Sequence, residues 1–381
     1  MSITLFFIFL VLLLYTYLGY PIVLSMLQKY SSTRIVQEPD PIYSIPVSII
    51  ISCFNEETQI AAKIENTLQL HYSGEQMEII VISDGSTDRT VEIAREYEDQ
   101  GVRVIDEPAR KGKTAVQNQA VKVAKNEIII FSDADVMYQL DAVQKLVRHF
   151  GDNRVAGVGG EVIFTTDVQS SVSSQENLFR RYEKYIKRLE NRFGNLIGFT
   201  GAIYAVRKSL YIPLSGAVIS DFIESLVLAR NGYTLRYEPE AIAVESVEYN
   251  YQNEYSRKMR TILRGLNGIK TITDILNPLR YGMLAFQVFS HKICRWGVPL
   301  FLIGLFFSNL LLLGSLWFNL VFGMQLLLYL FALLGWFFHA NDRKLRIFSV
   351  PFYFVLVNYA ALIALVKFIA GKNIIAWRPQ R

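Results

Sequence analysis

The sequence predicts an α/β domain with a mostly parallel central sheet, flanked by transmembrane helices at both ends of the chain. The first observation is an alternation of segments: from residue 46 onward, short apolar runs rich in β-branched residues alternate with longer amphipathic runs. The second is the distribution of apolar residues. The 381 residues are 51% hydrophobic, and the excess lies in uncharged stretches at the two ends that are long enough to cross a bilayer.

The first uncharged stretch runs from residue 3 to residue 27, which predicts an N-terminal transmembrane helix within residues 1–30. A cleaved signal peptide is the alternative, but no Lys or Arg precedes the apolar run, and the run exceeds a normal h-region. The first cations, Lys29 and Arg34, follow the run, so the positive-inside tendency places the next part of the chain in the cytoplasm. That part begins with a polar, proline-bearing linker at 31–45.

The apolar stretch at the other end predicts about three transmembrane helices within residues 297–371. Residues 298–340 contain no Asp, Glu, Lys or Arg and could cross twice, with a tight turn near 315–319. A basic loop precedes a third span at about 347–366, which could instead be re-entrant because Pro351 and Asn358 interrupt it. Residues 271–296 have an interfacial character. The basic tail at 372–381 would lie outside after three crossings, which conflicts with the positive-inside tendency.

Charge and cysteine content exclude several classes. The formal net charge is +5, and basic residues beside membrane segments are explained by anionic lipid headgroups. No stacking-aromatic or finger motif favours nucleic acid as a partner. The two cysteines, Cys53 and Cys294, lie far apart in sequence, which disfavours a disulfide framework and a zinc site.

Strands and helices alternate in the cytoplasmic part, residues 46–270. Apolar, β-branched runs predict strands at 47–52, 78–83, 102–105 and 127–132. The runs between them predict helices at 56–70, 88–97 and 114–125. This order is typical of a parallel sheet with helices on both faces. Two long amphipathic helices are expected later, at 168–191 and 255–269.

The fourth predicted strand ends in Asp133-Ala-Asp135. Two carboxylates at i and i+2 repel each other and cannot simply be buried. Hard oxygen ligands of this kind suit Mg²⁺ or Mn²⁺ held against a substrate phosphate, and ligands of open α/β sheets bind at the carboxyl ends of strands. A solvated turn explains the pair equally well when it is taken alone.

The second and third strands also end in residues suited to a nucleotide. Asp84 precedes Gly85, which permits a tight turn, and its carboxylate can accept a hydrogen bond from a base imide; helix capping explains the three residues that follow. After the third strand, Lys111 and Lys113 flank a glycine at a helix start, which attracts anions. A solvated basic turn is the alternative for these lysines, and the spacing of a Walker loop is missing.

These motifs, in this order, resemble the family 2 inverting glycosyltransferases of the GT-A fold over about residues 47–264. That family includes membrane-bound synthases of hyaluronan, poly-N-acetylglucosamine and cellulose. The motifs that carry the resemblance are Ile50–Glu57, Ser83-Asp-Gly-Ser-Thr-Asp88, Lys111-Gly-Lys113, Asp133-Ala-Asp135, Phe199-Thr-Gly-Ala202 and Ser220-Asp221.

The resemblance implies a nucleoside-diphosphate sugar donor, most often UDP-linked, and a divalent cation, Mg²⁺ or Mn²⁺. Asp135, together with Asp133, would bind the metal, and Asp221 would be the general base that deprotonates the acceptor hydroxyl. A helix cap is the alternative role of Asp221. Thr200 and Gly201 would lie on the acceptor side, where Glu224 is the reserve base. By the same analogy the nucleotide is held by Ser52, Phe54, Glu56, Asp84, Lys113 and Asp133.

One segment departs from the pattern of the family. Membrane-bound polysaccharide synthases commonly carry Gln-x-x-Arg-Trp on a helix at the membrane surface, and here the corresponding place is Arg257-Lys-Met-Arg260-Thr261. Arg257 and Arg260 could contact the diphosphate or a lipid phosphate; a basic helix face against headgroups explains them as well. The missing tryptophan would stack on the acceptor sugar, so its absence disfavours processive synthesis.

The sequence therefore predicts an integral membrane enzyme with a cytoplasmic catalytic domain. It would transfer one sugar, with inversion, from a UDP-sugar to a membrane-associated glycan or lipid in cell-surface polysaccharide or glycolipid synthesis. A processive β-glycan synthase is the main alternative, and a homo-oligomer could supply the helices that a polymer channel needs. A catalytically silent nucleotide-sugar-binding membrane protein is the third interpretation, which the acidic residues disfavour.

Overall fold

The computed structural model describes residues 2–30, 43–72, 77–165, 171–246, 251–340 and 345–374. Most of the predicted linker at 31–45, most of the basic loop near 341–346 and most of the basic tail lie outside the described residues. The strands are β1 (Val47–Cys53), β2 (Met77–Asp84), β3 (Val102–Glu107), β4 (Ile128–Asp133), β5 (Val136–Tyr138), β6 (Val155–Thr165), β7 (Ile203–Arg207) and β8 (Thr234–Ser246).

Helices cover both faces of the sheet and both ends of the chain. A π-helical turn (Tyr15–Gly19) joins the first two helices, and another (Phe289–Ile293) joins the eleventh and twelfth. The helices are α1 (Ser2–Leu14), α2 (Tyr20–Tyr30), α3 (Ile60–Leu68), α4 (Thr90–Arg95), α5 (Lys113–Val123), α6 (Ala142–Val147), α7 (Ser171–Asn191), α8 (Ser220–Arg230), α9 (Tyr251–Thr271), α10 (Pro278–Tyr281), α11 (Met283–Val288), α12 (Cys294–Leu310), α13 (Leu316–Ala340) and α14 (Arg346–Ile369).

The described strands form one sheet in the order β3-β2-β1-β4-β7-β6-β8-β5. The half that contains β3, β2, β1 and β4 is parallel throughout, and β6 also pairs in parallel with β8. β7 runs antiparallel to both of its neighbours, and β5 runs antiparallel to β8. The predicted fold class, an α/β fold with a mostly parallel sheet, is confirmed.

The four predicted strands are all present within two residues at each end. The first predicted helix begins four residues later than expected, at Ile60. The reason is local: residues 57–59 form a turn, and the Glu56 amide donates to Thr90 Oγ1 (2.7 Å), which holds the chain outside a helix. The two later amphipathic helices are confirmed as α7 and α9, and α9 begins four residues earlier than predicted.

The central strand β1 shows why the sheet is stable. All seven of its residues are buried, as expected for a parallel strand covered on both faces. Ile50 belongs to one hydrophobic core, with α5, α8 and α9, whereas Ile49 and Ile51 belong to the core on the opposite face. Each fully buried isoleucine contributes about 1.5–3 kcal/mol relative to an exposed one.

Within the described part of the chain, four helices are long and apolar enough to cross a membrane: Ser2–Gln28, Met283–Leu310, Leu316–Ala340 and Ile347–Ile369. One N-terminal and three C-terminal helices agree with the predicted number. The turn between the second and third lies at residues 311–315, about four residues earlier than expected. The second begins at Met283, so it includes the end of the segment expected to be interfacial. α14 continues through Pro351, which does not support a re-entrant segment.

Glycines in α9 bring the sheet domain and the first C-terminal apolar helix together. A Cβ at Gly268 would lie 2.3 Å from Ile223 Cδ1 in α8, and a Cβ at Gly265 would lie 2.7 Å from Trp296 Cη2 in α12. Larger side chains would force these helices apart. The start of α8 is therefore held in a fixed position relative to the first C-terminal apolar helix.

Candidate active site

The register of the parallel strands brings three predicted loops to one edge of the sheet. Ser52 lies opposite Asp133 on β4, and Cys53 lies opposite Ser83 on β2. Asp84 ends β2 opposite Glu107 on β3. These residues follow one another along the carboxyl edge of the sheet, where open α/β sheets bind ligands.

The loops after β1 and β2 are joined by hydrogen bonds. Asn55, in the left-handed region at φ 54°, donates its backbone amide to Ser86 Oγ (3.1 Å), and its side-chain oxygen accepts from the Thr87 amide (2.8 Å). Asp88 Oδ1 accepts from the amide of Thr90 (3.0 Å), the first residue of α4. These polar residues hold the loop conformation, as the capping interpretation predicted.

Asp84 fixes the loop that follows β3. Its Oδ1 accepts from the amides of Lys111 (2.7 Å) and Gly112 (2.9 Å). Gly85, at φ +73°, leaves room for this loop, since a Cβ there would lie 2.9 Å from the nitrogen of Arg110. The carboxylate therefore shapes the pocket through backbone contacts, a role that the sequence did not indicate.

A cavity of about 240 Å³ lies at this edge. It contains five of the six residues predicted to hold the nucleotide, together with one arginine from the loop after β3 and two arginines from α9. The Arg110 guanidinium stacks on the Phe54 ring, 3.6 Å from its centroid. The buried Ser52 Oγ has no hydrogen-bond partner among the described residues. The lining residues are Ser52, Cys53, Phe54, Glu56, Asp84, Arg110, Gly112, Lys113, Val116, Arg260 and Arg264.

The acidic pair lies in the turn between β4 and β5. The Lys113 ammonium pairs with Asp133 and donates to the carbonyl oxygen of Gly201 (3.2 Å). Burial, and next the charge of Asp133, raise the pKa of Asp135. A divalent cation would relieve this repulsion, so the oxygen ligands fit Mg²⁺ or Mn²⁺. No cluster of three or more potential metal ligands occurs among the described residues, so a cation here would also need oxygens from the donor.

Two residues near the pair were not predicted. Lys63 in α3 is fully buried; its ammonium donates to the carbonyl of Val136 (2.6 Å) and lies 4.0 Å from the Tyr138 ring centroid. Burial lowers its pKa to about 7, against the opposing charges of the two aspartates. Glu245 lies opposite Val136 on β8, and burial, then Asp135, raise its pKa to about 8. The only sequence signal for Lys63 is its place between Ile60 and Ile64 on an apolar helix face.

Asp221 is the second residue of α8, and its Oδ1 accepts from the Phe222 amide (3.0 Å). The turn at Gly201 packs against it, because a Cβ at Gly201 would lie 2.7 Å from Asp221 Oδ2. Burial raises the pKa of Asp221, and the ammonium of Lys113 opposes this shift. A carboxylate with a raised pKa is a better general base than one in water.

A second cavity, of about 150 Å³, contains Asp221 and adjoins the first. Lys113, Arg260 and Arg264 line both cavities. Three cationic side chains therefore lie between the Asp221 carboxylate and the first cavity. Thr200, predicted on the acceptor side, accepts a hydrogen bond from Lys187 at 2.9 Å.

Glu224, the reserve base, occupies a different environment. Its side chain is 2% exposed, lines neither cavity, and burial raises its pKa well above the ordinary value. Burial therefore disfavours its charged form, and no cavity gives an acceptor hydroxyl access to it. Asp221 is the better placed of the two carboxyl groups.

The arginines of α9 divide into two groups. Arg260 and Arg264 face the cavities; burial, followed by the charge of Arg264, lowers the pKa of Arg260 to about 10. Arg264 donates to the carbonyls of Gly216 (3.1 Å) and Val218. Arg257, predicted alongside Arg260, instead pairs with Glu254 one turn earlier in α9 and lines neither cavity.

A cavity at the carboxyl edge of a parallel sheet, an acidic pair beside it and a carboxylate at a facing helix start fit a glycosyltransferase of the GT-A fold. Residues 48–213 match the family described as glycosyl transferase family 2. The chain therefore carries a family 2 glycosyltransferase domain.

Relatives in this family include polysaccharide synthases. The chain is 26% identical over 202 residues to a poly-β-1,6-N-acetyl-D-glucosamine synthase of Staphylococcus aureus, an alignment covering 51% of this chain and 48% of the relative. The Staphylococcus epidermidis protein of the same name is 25% identical over the same length and coverage. The chain thus spans about half the length of the curated relatives it matches.

One solved structure corresponds to nearly the whole chain. It is a mannosyltransferase from Pyrobaculum calidifontis in complex with GDP-Man and Mn²⁺, with a TM-score of 0.74 and 18% identity. The superposition covers 98% of this chain and 100% of that one. The similarity therefore concerns the fold, apolar terminal helices included.

Proposed function

We propose that this chain is a membrane-bound inverting glycosyltransferase, which transfers a sugar from a nucleotide sugar to a membrane-associated glycan or lipid. The observation that carries the proposal is the junction of the two cavities. Lys113, Arg260 and Arg264 line both, so a diphosphate in the first cavity would face these cations while its sugar approaches Asp221. The basic residues after the first apolar helix support a cytoplasmic position for the catalytic domain.

The donor nucleotide would occupy the first cavity. Phe54 offers an aromatic face to the base, and Ser52 and Glu56 offer polar atoms to the base and ribose. Asp133 lies next to Ser52 and is close enough to this cavity to bind the ribose or the metal. The relatives favour an N-acetylhexosamine and the solved neighbour was bound to GDP-Man, whereas the sequence motifs favour a UDP-sugar; UDP-N-acetylglucosamine is the donor we expect.

Transfer requires a leaving diphosphate and an activated acceptor. Asp135, with Asp133, would hold Mg²⁺ or Mn²⁺, which stabilises negative charge on the departing diphosphate. Lys113 and Arg260 add fixed positive charge in a partly desolvated site, where electrostatic stabilisation is strongest. Asp221 accepts the proton of the acceptor hydroxyl as that oxygen attacks the anomeric carbon from the face opposite the diphosphate.

Processive β-glycan synthesis is the second candidate, because the curated relatives are named as polymer synthases. The tryptophan expected after Arg260 for such enzymes is replaced by Thr261. A single-transfer enzyme is therefore the preferred interpretation.

The test uses the full-length protein in lipid nanodiscs with Mn²⁺. Radiolabelled UDP-N-acetylglucosamine, UDP-glucose, UDP-galactose and GDP-mannose are supplied separately with an extract of membrane lipids, and the products are separated by size. We expect one donor to label a lipid-extractable product that carries one added sugar. A ladder of long products would establish the processive alternative, and no labelled product with any donor would contradict the proposal.

A further inference from the structure

Two lysines lie on the acceptor side of Asp221. Lys187 comes from α7, and its ammonium donates to Thr200 Oγ1 at 2.9 Å. Lys292 comes from the π-helical turn before α12, and its ammonium lies 5.8 Å from the ring centroid of Phe222, the residue after Asp221. Lys187 interacts electrostatically with both Lys292 and Asp221. Two elements far apart in sequence thus place two ammonium groups beside the same carboxylate.

Neither ammonium group has a carboxylate within 4 Å among the described residues. Lys292 Nζ meets His291 Nε2 at 3.5 Å, and both lysines interact electrostatically with Glu190. The closer partners of Glu190 and Glu183 are other groups. Glu190 Oε1 accepts from Tyr20 (2.6 Å) and meets His291 Nδ1 at 2.8 Å, while Glu183 pairs with Arg295 and meets His291 Nε2 at 3.2 Å. Partly buried cations without an ion pair are costly. Their retention beside a reacting group points to an anionic ligand.

An apolar groove lies between the apolar helices, one helical turn along the chain from Lys292. Arg295 follows Lys292 by one turn and lines the groove, which has a volume of about 370 Å³. Its guanidinium faces the rings of Phe179 (4.7 Å) and Tyr182 (5.2 Å). Further walls come from apolar helices at both ends of the chain, with Tyr17, Tyr353 and Val357 among the lining residues. Its lining surface is almost entirely apolar, so it suits a hydrocarbon chain.

We propose that Lys187 and Lys292 bind the phosphate of a lipid-linked acceptor whose hydrocarbon chain lies in this groove. The inference rests on the proposed function, which places the acceptor beside Asp221. The two positive charges suit a phosphate group, and the apolar lining of the nearby groove suits a hydrocarbon chain. A charged residue within a helix long enough to span a membrane is costly unless it has such a role.

Binding measurements on the detergent-solubilised full-length protein test this proposal without turnover. Farnesyl phosphate, farnesol and inorganic phosphate are titrated separately while tryptophan fluorescence is recorded, since Trp296 packs against Phe222 at 5.9 Å. We expect farnesyl phosphate to bind at least about ten-fold more tightly than farnesol, because two charge-assisted hydrogen bonds are added. Lys187→Gln and Lys292→Gln should each remove most of that preference. Lys184→Gln, one turn earlier in α7 and paired with Glu161, should keep it.

Equal affinity for farnesol and farnesyl phosphate, or a preference that survives both Gln substitutions, would overturn the proposal. Inorganic phosphate binding as tightly as farnesyl phosphate would overturn its lipid part. Lys187→Arg and Lys292→Arg keep the charge and should retain the preference, which separates loss of recognition from misfolding. A parallel titration with UDP-N-acetylglucosamine and Mn²⁺ reports on the donor site, so the two proposals fail through different measurements.

Discussion

The proposed donor half and the proposed acceptor half of the candidate active site are built in different ways. The donor half follows three consecutive parallel strands. Its loops are joined by short hydrogen bonds, such as those that the Asp84 carboxylate accepts from the amides of residues 111 and 112. The acceptor half draws single residues from α7, α8, α9 and the turn before α12. The comparison teaches that the donor half is set by local sequence, whereas the acceptor half is set by how distant helices pack.

The largest effect is expected from Asp221→Asn. The amide keeps the shape of the side chain but cannot accept the acceptor proton, so kcat should fall by about 10³-fold, with the dissociation constant of the donor changed less than two-fold. Steady-state transfer assays and donor titration check this. Glu224→Gln is the control: Glu224 lines neither cavity, so this variant should keep nearly full activity, and the reverse pattern would identify Glu224 as the base.

A pair of glycine substitutions separates the two halves. Gly201→Ala places a methyl group against Asp221 Oδ2, which displaces the base and should lower kcat by about 10²-fold. Gly85→Ala strains the loop after β2 and should weaken donor binding more than it lowers kcat. Titration of the donor and measurement of kcat for both variants decide the comparison. If Gly201→Ala weakened donor binding and Gly85→Ala did not, the two halves of the site would not be separable in this way.

The arginines of α9 provide the next test. Arg260→Gln should weaken donor binding by about ten-fold or more, because a charge-assisted contact with the diphosphate is lost. Arg257→Gln should change it less than two-fold, because Arg257 lies outside both cavities. Equal losses would show that Arg257 also reaches the donor.

The smallest effect concerns stability and pH. Because the folded-state pKa of Asp221 is raised, the folded state holds its proton to higher pH than the unfolded state, so stability is lost as pH rises through this window. Asp221→Asn removes the buried charge and should raise the apparent Tm by about 2 °C at pH 7.5. The difference should shrink as pH falls toward 4. Thermal unfolding of both proteins at the two pH values measures it.

The sequence predicted the strands and loops that surround the first cavity. Apolar runs ending in polar loops located β1, β2, β3 and β4 within two residues, and parallel pairing then brought Ser52, Phe54, Asp84 and Lys113 to one cavity, because the carboxyl ends of parallel strands share an edge. It could not predict that Asp84 would bind the neighbouring loop, since that depends on how far a loop folds back.

The acceptor half was only partly predictable. Asp221 was located by its motif, but Lys187 and Lys292 reach the site from helix faces separated by about a hundred residues. Lys63 is similar: one lysine between two isoleucines on a helix gives no sign that it lies under the acidic pair. Contacts of this kind are set by helix packing. Hydrophobic periodicity shows which face of a helix is buried, but it does not show which element packs against that face.

The most direct test of the donor site is calorimetric titration of the full-length protein with UDP-N-acetylglucosamine, in the presence and absence of Mn²⁺. We predict that the wild-type protein binds this donor only when the metal is present. Asp135→Ala should not bind the donor under either condition. Asp141→Ala is the control, because Asp141 is an exposed aspartate paired with Lys145, and this variant should retain metal-dependent binding. Equal affinity without the metal, or an unchanged metal response in Asp135→Ala, would contradict the assignment of the acidic pair.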